Sequence, residues 1–188
     1  VDAKMGVVSK IMKRENHIIR KSTKLSKRSH IIAANIDQGL IAASVVAPSL
    51  KPSLIDRYII AARKGNMKPV VIVNKVDLLE STAVAKEIRR QQKELLQQCR
   101  AAYAEVEVPL LIISAKQGKG IEELQALMHG QTSVFSGQSG TGKSSLINAV
   151  SGLDLPVRET VKQTRKGAHT TTRAHLVQLE GGGFCVDT

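Results

Sequence analysis

The residues with the clearest capacity for chemistry are the run Gly137-Gln138-Ser139-Gly140-Thr141-Gly142-Lys143-Ser144, which matches the Gly-x-x-x-x-Gly-Lys-Ser phosphate-binding pattern throughout. Glycines at these positions let successive backbone N–H groups turn inward around phosphate oxygens, and a helix starting at the lysine points the positive end of its dipole at the same charge. In that arrangement Lys143 reaches the β- and γ-phosphates, Ser144 supplies a hydroxyl ligand to Mg²⁺, and Ser145 donates towards the α-phosphate. The bland reading is a glycine-rich turn without function. Context opposes it: an apolar strand over residues 132–135 leads into the loop and an apolar-periodic helix over residues 143–150 leads out.

A phosphate loop does not choose a base. Asn74-Lys75-Val76-Asp77, directly after the apolar run 70–73, does. The Asp77 carboxylate can accept two hydrogen bonds, from N1–H and the exocyclic amine of guanine; adenine offers neither, and a carboxylate left unpaired against it is heavily penalised. Asn74 braces the loop and the base edge, and the Lys75 stem covers one ring face. Ser114-Ala115-Lys116 follows a second strand, 110–113. There the Ala115 backbone N–H meets the guanine carbonyl and Lys116 packs over the other face. Three such common residues recur by chance, so this motif gains its weight from the other two.

The order of the motifs carries as much information as their content. Ordinary small GTPases place the phosphate loop first and the base loops last; here both base loops precede it, and Thr170-Thr171-Thr172-Arg173 and Val186-Asp187-Thr188 follow. That is a circular permutation: one sheet cut at a different loop.

The elements that must position these loops read as α/β. Val- and Ile-rich runs alternate with amphipathic stretches, the pattern of a mostly parallel sheet flanked by helices. Strands are expected at 31–35, 41–46, 70–73, 110–113, 132–135, 176–179 and 184–186. Helices are expected at 54–64, 82–103, 121–128 and 143–150. Ser53 and Asp56 read as a capping pair for the first helix, and Gly181, Gly182 and Gly183 as the turn of a terminal hairpin. The segments 6–12 and 17–20 read as short strands closing a small β-domain, which places a boundary between residues 30 and 31.

Composition agrees with a globular core, 42% hydrophobic over 188 residues, and the longest apolar runs are far too short to span a bilayer. Cys99 and Cys185 lie far apart with no Cys or His at ligand spacing, which suits a reducing compartment; together with the lack of an apolar leader this makes cytoplasm the expected location. The net charge is +12. Residues 1–30 hold nine basic and two acidic side chains, and residues 158–175 hold five against one. Such clusters gain affinity for polyanions by releasing counterions, so nucleic acid is the expected partner. Two Tyr and two Phe leave little for base stacking, which favours readout of phosphate and shape.

With those residues in view, the chain resembles the ribosome-small-subunit-dependent GTPase family, RsgA (also called YjeQ). The resemblance rests on Arg20-Lys21-Ser22 and Leu25-Ser26 ahead of Ala33-Ala34-Asn35-Ile36-Asp37-Gln38, on Leu54-Ile55-Asp56-Arg57-Tyr58, on Phe135-Ser136-Gly137-Gln138-Ser139-Gly140 leading to Leu146-Ile147-Asn148, and on Gly167-Ala168-His169-Thr170-Thr171-Thr172. Permuted GTPases of the large subunit usually read Pro-Asn-Val-Gly-Lys-Ser at the phosphate loop, unlike this chain. The resemblance implies an OB-fold, a central circularly permuted GTPase domain and a C-terminal zinc domain, with GTP/GDP and Mg²⁺ as ligands and the small ribosomal subunit with its 16S rRNA as partner. Only the last strands of an OB-fold are expected in residues 1–30, the GTPase domain occupies 31–188, and the zinc ligands of the family are not among these residues. A monomer is expected.

The chemistry so implied is hydrolysis of GTP by an in-line water. Lys143 offsets developing charge, Thr172 or Thr171 completes the Mg²⁺ shell, and Asp187 holds the ion through water. His169 is the candidate for positioning the water; its blander reading is a switch-loop histidine facing rRNA or solvent. Two alternatives stand beside the hydrolase: a GTP/GDP-sensing RNA-binding module, and a permuted GTPase of another ribosome-assembly family.

Overall fold

The computed structural model describes residues 10–21, 29–152 and 175–187. Its strands are β1 (His17–Lys21), β2 (Ser29–Ala34), β3 (Gln38–Ser44), β4 (Lys68–Asn74), β5 (Leu110–Ile112), β6 (Thr132–Gly137), β7 (His175–Gln178) and β8 (Phe184–Asp187). Its helices are α1 (Pro52–Lys64), α2 (Lys86–Glu105), α3 (Ile121–Met128) and α4 (Lys143–Ser151), with a 3-10 turn at Val76–Leu79. Six strands form one sheet in the order β5-β4-β3-β6-β8-β7, parallel except for the antiparallel β7–β8 hairpin. Gly182 and Gly183, at φ 85 and 93, close that hairpin as expected.

Period-two alternation sorts each central strand between two cores, which is why these strands read as continuous apolar runs. On β3 every residue is buried. Leu40 and Ala42 join Val70, Ile72, Phe135, Leu124 and Leu146 beneath α3 and α4. Ile41 and Ala43 join Val71, Val73, Ile59, Leu96 and Tyr103 beneath α1 and α2.

Four local expectations change. The capping pair Ser53/Asp56 does not form: Lys51 is the N-cap of α1, without a side-chain cap, and Pro52 opens the helix. Proline is pre-organised for that first position, so the helix begins before Ser53 can cap it. α2 begins at Lys86 rather than Thr82, because Ser81 holds a turn instead, its hydroxyl accepting from Ala83 N–H at 3.3 Å and its carbonyl from Val84 N–H at 3.2 Å. Of the strand read at 6–12, residues 6–9 lie outside the described residues and 10–12 are irregular. The strand read at 31–35 is β2, and it pairs antiparallel with β1 instead of entering the large sheet, so this ladder crosses the boundary placed between 30 and 31. Asn16 ties the ribbon down: its Nδ2 donates to the carbonyls of Ile36 (2.7 Å) and Asn66 (3.1 Å), while its Oδ1 accepts from Ile36 N–H (2.7 Å).

Freed from capping, Asp56 joins α1 to α2 by accepting the Tyr103 hydroxyl at 2.9 Å. Burial first, and then Asp56, push the Tyr103 phenol above its ordinary pKa. The fold therefore keeps the phenol protonated, while the unfolded chain ionises near pH 10, so the contribution is complete below pH 10 and is lost as pH rises beyond it. Tyr103→Phe is expected to lose about 1 kcal/mol at neutral pH. Urea titrations should also show it losing less stability than the parent above pH 10; parallel pH profiles would contradict this.

Candidate functional site

All the loops of interest leave the C-terminal ends of parallel strands, around β3. Strand order reverses there, with β4 on one side and β6 on the other, which opens the crevice where α/β sheets bind ligands. Register sets the loops side by side: Ala42 pairs with Gly137 and Ser44 with Asn74. The phosphate loop and the base loop are thereby held one strand apart.

The phosphate loop is the chain between β6 and α4. Gly137, Gly140 and Gly142 all take positive φ (147, 83 and 91). A Cβ at Gly137 would run into the Ala42 carbonyl, and one at Gly142 would come within 2.5 Å of Asn74 Nδ2, so both glycines are required by backbone angle and by space. Thr141 is buried, and its hydroxyl donates to the Gln138 carbonyl at 2.9 Å. Lys143 Nζ donates to the carbonyls of Gly137 (2.9 Å) and Gln138 (3.1 Å), which folds its charge over the loop mouth. Ser144 and Ser145 follow on the first turn of α4, both half-buried; Ser139 and Gly140 are exposed at the tip.

Asn74 unites the three loops. Only 2% exposed, it donates from Nδ2 to the Thr141 carbonyl (3.0 Å) and accepts at Oδ1 from Lys75 N–H (2.8 Å) and Ala115 N–H (3.1 Å). Lys75 adds a second tie. Its backbone is left-handed (φ 64), and its Nζ donates to the carbonyls of Ala47 and Gly140, both at 2.6 Å. Burial depresses the Lys75 pKa, an effect that Asp77 opposes. Asp77 accepts the Ser114 hydroxyl on Oδ1 at 2.7 Å, and its other oxygen has no partner among the described residues. A carboxylate fixed by one oxygen and open at the other is suited to receive the paired donors of a guanine edge.

The structure thus gathers Asn74, Lys75, Asp77, Ser114, Ala115 and the run Gly137 to Ser145 around one crevice. Lys116 is exposed on the 114–120 loop, which a two-way Ser114–Lys119 backbone bridge closes. Asp187 ends β8, and the parallel β6–β8 pairing brings that strand end beside the one bearing the phosphate loop. His169, Thr171 and Thr172 lie outside the described residues. What sequence reading missed is the bracing: the reach of Asn74 to Thr141 and of Lys75 to Ala47 and Gly140. Ala47-Pro48-Ser49 was its one visible trace, a turn signal after an apolar strand.

A hydroxyl such as that of Ser144 and a carboxylate such as that of Asp187 are the hard oxygen groups that suit Mg²⁺. A phosphate loop on β6 with base-reading loops on β4 and β5, the latter two earlier in the chain, defines a circularly permuted P-loop GTPase domain. The chain belongs to the RsgA GTPase family, whose model matches residues 11–188. It is 41% identical to the small ribosomal subunit biogenesis GTPase RsgA of Christiangramia forsetii, over all of this chain and 57% of that protein. To the protein of that name in Azotobacter vinelandii it is 42% identical, over 84% of this chain and 43% of the relative. The crystal structure of YjeQ from Thermotoga maritima aligns with TM-score 0.65 at 31% identity, covering 95% of this chain and 53% of that one. YloQ, a circularly permuted GTPase, shares the fold at TM-score 0.62 and 22% identity, over 96% of this chain and 58% of its own. The chain therefore spans about half the length of the relatives it matches.

Proposed function

We propose that this chain binds guanine nucleotide and hydrolyses GTP to GDP and phosphate during maturation of the small ribosomal subunit, with nucleotide state controlling association with 16S rRNA. The observation that carries the reading is the Asp77–Ser114 pair, joined through Asn74 to Thr141 of the phosphate loop. That linkage holds a guanine-reading carboxylate at fixed reach from a phosphate cradle. The names of the relatives supply the small subunit as partner. The basic segments 1–30 and 158–175 supply charge for rRNA phosphates.

In this mechanism the glycine loop and the α4 N-terminus bind the phosphates and orient the terminal one. Lys143 turns its ammonium from the Gly137 and Gln138 carbonyls to the β- and γ-phosphates, where negative charge grows as the terminal bond breaks. Bound Mg²⁺ would supply charge neutralisation, and Ser144, Thr172 or Thr171, and, through water, Asp187 are the residues that would hold it. His169 orients the attacking water.

Binding of GTP, GDP and ATP with Mg²⁺, followed by turnover with and without small ribosomal subunits, tests the reading. Guanine-selective binding and subunit-stimulated turnover are expected. Nucleotide-dependent RNA affinity without stimulation would identify a sensing module instead, and equal binding of ATP would overturn the base assignment.

A further inference from the structure

α2 carries a surface that, among the described residues, neither the candidate nucleotide site nor packing uses. At 3.6 residues per turn its inward stripe is Leu96, Cys99 and Tyr103, all buried, extended by half-buried Gln92. Both contacts towards α1 leave from that stripe: Gln92 accepts Leu50 N–H at 3.0 Å and Tyr103 donates to Asp56. On one flank, about 110° round the helix from that stripe, Lys86, Arg90, Lys93, Gln97 and Arg100 share an arc of about 80°. All five are exposed. No acidic residue falls within that arc; Glu87, Glu94 and Glu105 project from the crest of the helix, with Gln91 and Gln98.

Among the described residues the only ion pairs are those of Arg90 with Glu87 (2.8 Å) and Glu94 (3.4 Å). A helix charged merely for solubility intersperses its signs at i,i+4, as this one does around Arg90. Among the described residues Lys86, Lys93 and Arg100 have no acidic partner. They form a straight row about 21 Å long at 1.5 Å per residue, with no aromatic side chain among them. The helix lies against β5, the edge strand of the sheet.

We propose that this flank of α2 is a docking surface for the phosphate backbone of structured RNA, carried by a stretch of sequence other than the basic segments 1–30 and 158–175. Charge complementarity commits it to RNA: evenly spaced cations on a rigid rod match a phosphate ridge, and without stacking side chains the surface reads shape rather than sequence. The proposal rests on the small-subunit reading above. It also carries a mechanical implication, because α2 packs on the Val76–Leu79 turn that bears Asp77.

The test compares the parent chain with a flank variant, Lys86→Gln/Lys93→Gln/Arg100→Gln, and a crest variant of equal net charge, Gln91→Glu/Gln98→Glu/Ala102→Glu. Affinity for small subunits and for purified small-subunit rRNA is measured across a salt series, with GDP affinity and thermal melting as checks on folding. The flank variant is expected to bind both targets at least about tenfold more weakly near physiological salt, its log–log salt slope shallower by roughly 2. The crest variant is expected to stay within about threefold of the parent and to keep the parent's slope. Equal losses in both variants, or none in the flank variant, would overturn the surface alone. A flank loss seen with subunits but not with purified rRNA would reassign it to a ribosomal protein and overturn the RNA proposal. A parent chain that binds neither target would overturn the small-subunit reading itself.

Discussion

Replacing Asp77 with alanine is expected to weaken GDP and GTP binding by about 10²- to 10⁴-fold while leaving weak ADP binding unchanged. The magnitude follows from removing two charge-assisted hydrogen bonds of about 1.5–3 kcal/mol each. The alanine variant also strips the fully buried Ser114 hydroxyl of its acceptor, so some loss of stability will accompany the loss of affinity. Asp77→Asn separates the two effects. An amide keeps an oxygen for Ser114, yet presents N–H where the guanine amine needs an acceptor. It should select xanthine nucleotides, whose 2-carbonyl accepts what the guanine amine cannot. Calorimetric titration of GDP, XDP and ADP into the three proteins decides the matter. Unaltered GDP affinity in the alanine variant would remove Asp77 from base recognition.

Asn74→Ala is expected to be the most damaging single change to the site as a whole. Three hydrogen bonds are lost from a nearly inaccessible side chain, leaving the Thr141 carbonyl and two backbone N–H groups without it. At about 1 kcal/mol for each bond, and more where a buried group stays unsatisfied, a destabilisation of about 3 kcal/mol is expected. Guanine and phosphate contacts should weaken together, since Asn74 joins the two loops. Asn74→Asp refines the test: both acceptor bonds survive, while a carboxylate oxygen is set against the Thr141 carbonyl. If the link to the phosphate loop is what matters, the aspartate variant will bind nucleotide nearly as poorly as alanine despite better retained base-loop order. Chemical denaturation and GDP titration of both variants provide the readout.

These consequences were only partly legible in the chain. The glycine positions at 137, 140 and 142 could be read because backbone geometry dictates residue type there, and the pattern is local. The strands β3, β4 and β6 could be read because burial on both faces leaves apolar runs with turn residues at each end. What stayed hidden is contact across sequence distance. Nothing near Asn74 announces a carbonyl 67 residues away, nor does Lys75 show that its ammonium ends on the Ala47 and Gly140 carbonyls. Competing local chemistry misled the rest. Ser53 and Asp56 have capping spacing, but Pro52 starts α1 before them; Ser81 takes up the turn that periodicity assigned to α2; and a short apolar run at 31–34 does not say whether it joins the large sheet or pairs with β1.

The central position of β3 also has a consequence for synthesis. Its neighbour β4 is made soon after it, but its other neighbour, β6, lies far downstream: Gln38 and the Ser133 it meets are 95 residues apart. At translation rates of about 5–20 residues per second, that interval is roughly 5–19 s. Throughout it, a strand whose residues all end up buried keeps one open hydrogen-bonding edge. The phosphate loop follows directly at the end of β6, so the arrival of that one strand both covers the open edge of β3 and sets the phosphate loop beside base loops made earlier.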